Sequence, residues 1–369
     1  MDNRPLKKYQ ILFLIIILAI ILNGCGNKPE EAPNISEEFE SSEYPIVVKD
    51  YLDREVTIEK PINKIACGYA YAGHVAALLG RGDDIVAVVG GLQRDKMLND
   101  LHPHIKELPV PFSSGAINIE ELLKVEPDIV FVRSGTAINK SEIGKLEKFN
   151  IPYITIDFKN IEEQIESIKI IGKALGKEEK AKEYIDYYMD TMNYIEETSY
   201  KIPEEDRVFV YHSVNEATRT TGGESLPVDW LRRVGVKNVA EGEELRIVDN
   251  DTYATLEQIY LWDPEVMIVN EPGVAEYILT NDKWKGLKAV KNKAVYQMPI
   301  GISRWGHHGS LETPLAMLWT SKLIYPDYYT EIDIEKETKD FYKRFYDLNL
   351  SQEEVKKVLS GEGMRGSKN

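Results

Sequence analysis

The chain has 369 residues, 43% of them hydrophobic and 29% charged, with a formal charge of −16 and only two cysteines. That length buries an adequate core without cross-links, and two cysteines exclude a disulfide framework. The acidic balance, with Lys and Arg interspersed among acids rather than gathered in a stripe, argues against nucleic acid, whose phosphates demand clustered basic residues.

At the N-terminus, Arg4, Lys7 and Lys8 precede an unbroken apolar run from Ile11 to Leu22. A helical span needs about 20 apolar residues; a shorter run behind basic residues is the pattern of a secretory signal. Leu22-Asn23-Gly24-Cys25 resembles the lipobox of bacterial lipoproteins, in which the cysteine is acylated and becomes the first mature residue. The resemblance makes residues 1–24 a signal peptide, Cys25 the lipidation site and the lipid bilayer a partner, with more than one acyl chain giving stable anchoring. An ordinary signal with a chance cysteine is the alternative. Removal of Asp2, Arg4, Lys7 and Lys8 takes the formal charge from −16 to −18. Cys67, in apolar Ile65-Ala66-Cys67, reads as a buried small hydrophobe.

Residues 25–44 are acidic and Pro-containing, and read as a flexible tether. Residues 45–176 then alternate: strand 64–67, helix 72–79, strand 85–89, helix 119–125, strands 128–132 and 153–156, helix 161–175. Across 177–199, Ala181, Ile185, Tyr188, Met192 and Ile195 recur at steps of four and three, which predicts one amphipathic helix. At 1.5 Å per residue it is roughly 35 Å long. Residues 200–360 repeat the alternation, with strand 207–211, helix 228–234, helix 256–261, strand 265–269 and two terminal helices within 333–359; residues 361–369 read as a disordered tail. Such alternation implies α/β architecture with largely parallel sheets. The fold class is two Rossmann-like α/β lobes joined by a single bridging helix, with the ligand cleft between them. The lobes echo each other: Asn118–Val132 matches Thr255–Val269 at a constant offset of 137, pairing Glu120 with Glu257 and Pro127 with Pro264.

Val48-Lys49-Asp50, Asp53-Arg54-Glu55-Val56-Thr57-Ile58, Pro61 and Lys64–Cys67 resemble the opening of the cobalamin and iron(III)-siderophore binding proteins of ABC importers. Asp53 stands where that family has a turn Gly, and Glu59 where it has Pro. The echoed motifs, the bridging helix, and Trp284-Lys285-Gly286-Leu287 ahead of Ala294-Val295-Tyr296 are also similar, so the resemblance spans residues 46 to 358. It implies a lipid-anchored, extracytoplasmic, non-enzymatic receptor that captures an iron(III) complex (a siderophore-like chelate or haem) and delivers it to a permease with its cytoplasmic ATPase. No cofactor of its own is expected, the iron belonging to the cargo. A corrinoid, metal or oxyanion receptor of the same fold is the alternative. A lipoprotein hydrolase is a remote one, because Gly-x-Ser-x-Gly, His-Glu-x-x-His and a phosphate loop are all absent.

In such folds ligands lie at loops following strand carboxyl ends. This selects Tyr69, Tyr71, Arg94, Phe112 and Ser134 on the first lobe, and Tyr211, Arg304, Trp305, His307 and His308 on the second. Aromatic faces suit flat chelates and Arg supplies bidentate donors; core or rim packing is the alternative for each aromatic. His307 or His308 is a possible metal ligand, against a loop-capping role, with His74 and His212 facing the cleft and His102 and His104 on an exposed loop. Sequence spacing does not show the three or four converging ligands a bare ion needs. Family members present one carboxylate per lobe to permease arginines. The echo assigns that docking role to Glu120 and Glu257, with solvated helix carboxylates as the alternative.

Overall fold

The computed structural model describes residues 44–248 and 251–366. The expected signal peptide, Cys25 and the expected tether up to residue 43 lie outside the described residues. Among the described residues no helix is long and apolar enough to cross a membrane.

Two four-stranded parallel sheets carry the architecture. The first runs Ile85–Ala87, Ile65–Cys67, Ile129–Arg133, Tyr153–Ile156 from edge to edge; the second runs Lys237–Asn238, Phe209–Ser213, Val266–Val269, Val295–Gln297. Both therefore place the second strand outside the first and the third beside it. Parallel strands covered on both faces should be apolar throughout, and Ile129, Val130, Phe131 and Val132 are all buried.

The sequence echo is a structural one. Helix Ile119–Val125 starts at Asn118, whose side chain accepts from Glu121 N, and helix Leu256–Trp262 starts at Thr255 in a capping box with Gln258. Each ends on a left-handed acidic residue, Glu126 at φ 49° and Asp263 at φ 42°, followed by the proline that blocks helix continuation. Each then feeds the third strand of its sheet.

The opening hairpin pairs Ile46–Lys49 with Glu55–Ile58. Asp50 organises its turn, accepting from Leu52 N at 3.0 Å, Arg54 N at 3.1 Å and, across the lobe, Thr155 N at 3.0 Å. Asp53 sits at φ 61°, a left-handed position that an Asp tolerates where glycine is the usual choice.

The bridging helix spans Glu178–Ser199 and buries Ala181, Tyr184, Ile185, Tyr188, Met192 and Ile195. One contiguous apolar cluster runs from Tyr71, Phe131 and Ile168 of the first lobe through this helix to Trp230, Leu315 and Phe341 of the second. The lobes thus share a core rather than hang from a hinge.

The tail departs from expectation. Residues 361–366 are ordered against the first lobe: Lys96 N donates to Met364 O at 3.3 Å and Gly366 N to Arg94 O at 2.9 Å. Met364 is buried and the Arg365 side chain is only 8% exposed, in an ion pair with Asp95. Composition alone signalled fraying, because the partners of these residues lie far away in sequence. Residues 367–369 lie outside the described residues.

Candidate functional site

Two adjoining cavities open between the lobes at the strand carboxyl ends. The outer, of about 460 Å³, is lined by Arg133, Ser134, Asp157 and Phe158 from the first lobe, with Arg219, Thr220 and Thr252 from the second. The inner, of about 170 Å³, is lined by Tyr69, Tyr71, His74 and Asp95 of the first lobe, with Arg365 of the tail beside Asp95, and by Ser303, Arg304 and Gly309 of the second lobe. Arg133, His307 and His308 border both.

The segment 301–310 forms the second-lobe wall and is pinned from behind. Gln164 Nε2 donates to Ser310 O at 2.9 Å, Tyr188 hydroxyl donates to Gln164 Oε1 at 2.9 Å, and Tyr184 hydroxyl donates to Leu311 O. Trp230 Nε1 donates to Gly306 O at 2.9 Å. Gly306 lies at φ +65°, and a Cβ there would meet Trp230 Cζ2 at 2.7 Å. Glycine is therefore what lets the chain turn over the indole and present His307 and His308 to the cavities.

A guanidinium has donors and no acceptor, which fixes the proton arrangement at both histidines. Arg304 Nη2 lies 2.8 Å from His307 Nε2, and Arg133 Nη2 lies 2.9 Å from His308 Nε2. Each Nε2 therefore accepts, so each ring is neutral with its proton on Nδ1. Burial depresses both pKa values, His308 to about 4, and the neighbouring arginines push the same way. With its Nε2 lone pair committed and a cation alongside, neither histidine is set to ligate a metal in this arrangement. Among the described residues, no group of three or more His, Cys, Asp or Glu is placed to hold a metal ion. His308 stacks on Phe158 across the cleft, centroids 5.2 Å apart.

Tyr69 is the first-lobe counterpart. Its hydroxyl is buried without a hydrogen-bond partner, and the Arg133 guanidinium lies over its ring at 5.5 Å. Arg304 is buried and shared among Glu271 Oε2 at 2.8 Å, Asn215 and His307. Burial lowers its pKa to about 10, against the pull of Glu271, so it stays a cation at neutral pH. Ser134 Oγ lines the outer cavity and donates to Asp157.

Other candidates fall elsewhere. Trp305 is fully buried beneath the wall, its Nε1 3.3 Å from Tyr342 hydroxyl. Tyr211 is buried in a separate second-lobe cluster, donating to Ala217 O at 3.0 Å. Phe112 belongs to the outer apolar cluster of the first lobe. These three leave the site because apolar area sent their rings into the core. Arg94 stands behind the inner cavity, paired with Glu271 at 2.7 Å. His74 reaches the inner cavity, while His212 is buried against Asn270. Sequence reasoning missed Arg133, Asp157, Phe158, Arg219 and Arg365. Arg133 ends one parallel strand and Asp157 directly follows another, and the strand-end rule, taken one residue either way, would have found both; Phe158 lies one residue further on.

A hydrolytic reading does not survive this geometry. Glu312 accepts from Ser303 N at 2.9 Å and from the Ser303 and Ser310 hydroxyls, while His308 accepts from Arg133. Ser310 Oγ is engaged by Ser303 and Glu312, and among the described residues no histidine is hydrogen-bonded to it.

Buried histidines have a consequence for stability. Burial lowers His74 and His212 to about 4 in the fold, against about 6.5 in an unfolded chain. Between those values the unfolded state binds more protons, so stability is complete above pH 6.5 and falls on acidification, by about 1.4 kcal/mol per pH unit for each fully taken-up proton. Thermal melts should show a clearly lower Tm at pH 5 than at pH 7; equal melting points would mean these rings titrate normally.

Comparison with known proteins agrees with the architecture. The profile of the family described as "Periplasmic binding protein" matches residues 65–300. The molybdate-binding protein MolA of Haemophilus influenzae is 24% identical over 323 residues, 81% of this chain and 90% of that protein. The ABC transporter substrate-binding lipoprotein YvrC of Bacillus subtilis is 25% identical over 333 residues, 88% of this chain and 99% of that one. A crystal structure of a periplasmic solute binding protein from Veillonella parvula superposes with a TM-score of 0.75 at 26% identity, covering 86% of this chain and 98% of that chain. Proteins of this kind bind solutes outside the cytoplasm for a permease and its ATPase, and they are not enzymes. The chain belongs to the periplasmic binding protein family, as an ABC transporter substrate-binding protein of two α/β lobes.

Proposed function

We propose that this receptor captures a compact anionic metal species: a metal oxyanion, or a small metal complex that presents anionic oxygens. The observation that carries this reading is the inner cavity itself. A buried, unpartnered Tyr69 hydroxyl faces a wall whose charged members are Arg133, Arg304 and Arg365 against Asp95. Donors outnumber acceptors there, and a buried donor without a partner is costly. A tetrahedral oxyanion offers acceptors in every direction, and the molybdate-binding relative makes molybdate the natural first probe. The iron(III)-chelate reading has a specific support of its own. The outer cavity, at about 460 Å³, lies within the range of drug-sized ligands, and the Phe158–His308 wall suits a flat chelate whose anionic arm would enter the inner cavity.

The test titrates residues 26–369 with molybdate, tungstate, ferric citrate, hydroxamate and catecholate chelates, haem and cobalamin, following tryptophan fluorescence. Saturable one-to-one binding of an oxyanion at micromolar concentration, about −8 kcal/mol, supports the first reading. Binding of a ferric chelate alone supports the second, and silence across the panel overturns both. Tyr69→Phe sharpens the test. Because its hydroxyl has no partner, removal should leave the melting temperature of the free protein unchanged or slightly raised, yet weaken cargo binding about tenfold, the value of one hydrogen bond to a charged group. Unchanged affinity would remove Tyr69 from the site.

Cys25 is assigned, on the lipobox, as the acylated anchor. Cys25→Ala should move the protein from the membrane fraction to the medium or periplasm. A variant that stayed on the membrane would contradict the anchor.

A further inference from the structure

The C-terminal tail lies beyond residues 65–300 matched by the family, yet it reaches the heart of the cleft. Helix Gln352–Ser360 sits on the second lobe, with Ile300 N donating to Val358 O at 2.9 Å. The chain turns off it at Gly361, at φ +69°, where a Cβ would stand 3.1 Å from Met298 O. Glycine is required there by conformation and by crowding together.

From that turn the tail crosses to the first lobe. Met364 O accepts from Lys96 N at 3.3 Å, Gly366 N donates to Arg94 O at 2.9 Å, and Arg94 Nε donates to Gly366 O at 2.9 Å. Between these bonds Arg365 turns inward. Its guanidinium forms an ion pair with Asp95, which also receives His74 Nε2 at 3.0 Å, and it forms part of the inner cavity wall. Its Nε is buried without a hydrogen-bond partner, 4.0 Å from Glu271 Oε2. Glu271 itself is engaged by Arg94 at 2.7 Å and Arg304 at 2.8 Å. The tail thus ties a second-lobe helix to the first lobe, and its arginine stands where residues of both lobes meet.

We propose that Arg365 is a cargo-binding residue carried into the inner cavity by the tail, which acts as a strap across the two lobes. The inference rests on the reading that the inner cavity takes an anionic cargo. Asp95 holds the guanidinium by one ion-pair contact, Oδ1 to Nη1, its Oδ2 being taken by His74, and Arg304 opposes it from the second lobe. An anion between them meets a cation held by each side of the cleft.

Three proteins test this: the wild type, Arg365→Gln and Arg365→Lys, each titrated with molybdate, alongside a chain ending at Gly363 followed by hydrogen exchange. Arg365→Gln should weaken molybdate at least tenfold, and Arg365→Lys should recover part of that loss by restoring charge without the fork. Wild-type affinity in Arg365→Gln would overturn the binding role. In the shortened chain, amides at 94–96 and around Glu271 should exchange faster than in the full chain. Unchanged exchange would overturn the strap. If the wild type binds no molybdate but takes another anion of the panel, the variants are titrated with that anion instead; if it binds none, the anion reading fails, and Arg365 as a ligand fails with it. The exchange comparison would still decide the strap separately.

Discussion

If Glu120 and Glu257 dock the receptor to its permease, as the family resemblance implies, reversing both, Glu120→Arg with Glu257→Arg, should abolish cargo uptake by cells while leaving cargo affinity of the purified receptor unchanged. Both residues are exposed in the first turn of matched helices, and neither has an ion-pair partner among the described residues. Glu121, by contrast, is paired with Lys124 at 2.5 Å. An exposed carboxylate with nothing to hold is free to meet an arginine on a partner. Two of them on topologically equivalent elements suit a permease built from two similar halves, where charge complementarity sets register and on-rate. Single reversals should reduce uptake and the double should remove it. Uptake that survives the double reversal would strip these residues of the docking role and leave them as solvated helix carboxylates.

The second large effect is expected at Arg304. Arg304→Gln should weaken cargo binding by at least thirtyfold, taking the low end of the 2–5 kcal/mol seen when one partner of a buried charge pair is truncated. The fold should tolerate it, because Glu271 keeps Arg94 at 2.7 Å. The same change frees His307 Nε2 from its guanidinium donor. A variant that bound a transition-metal cation while losing the anion would identify that donor as what keeps the imidazole from metal. Arg304→Gln with wild-type affinity for cargo would contradict the inner-cavity account, and a lowered melting temperature with unchanged affinity would make Arg304 purely structural.

The fold was legible in the sequence for reasons that are local. The parallel strands announced themselves as short apolar runs such as Ile129-Val130-Phe131-Val132, and the bridging helix through the spacing of Ala181, Ile185, Tyr188, Met192 and Ile195. The duplicated helix–Pro–strand segment was readable because Glu126-Pro127 and Asp263-Pro264 terminate helices in the same way in both lobes. The site was only half legible. Loops after strands drew attention to Tyr69, Tyr71, Ser134, Arg304, His307 and His308, all of which line the cavities. Composition did not reveal which aromatics would be taken into the core, as Phe112, Tyr211 and Trp305 were. Strand ends are uncertain by a residue from sequence, and that margin hid Arg133 and Asp157. Arg365 was beyond reach altogether. Its partners are Asp95 and the backbone near Arg94, and no local pattern connects a polar tail to residues at the far end of the chain.

One measurement addresses the central claim most directly: the crystal structure of the soluble receptor grown with one equivalent of molybdate, located by the anomalous signal of molybdenum. The account predicts a single peak in the inner cavity, within reach of Tyr69 hydroxyl, Arg133, Arg304 and Arg365. No peak there, or one bound elsewhere on the surface while a ferric chelate fills the outer cavity, would contradict it.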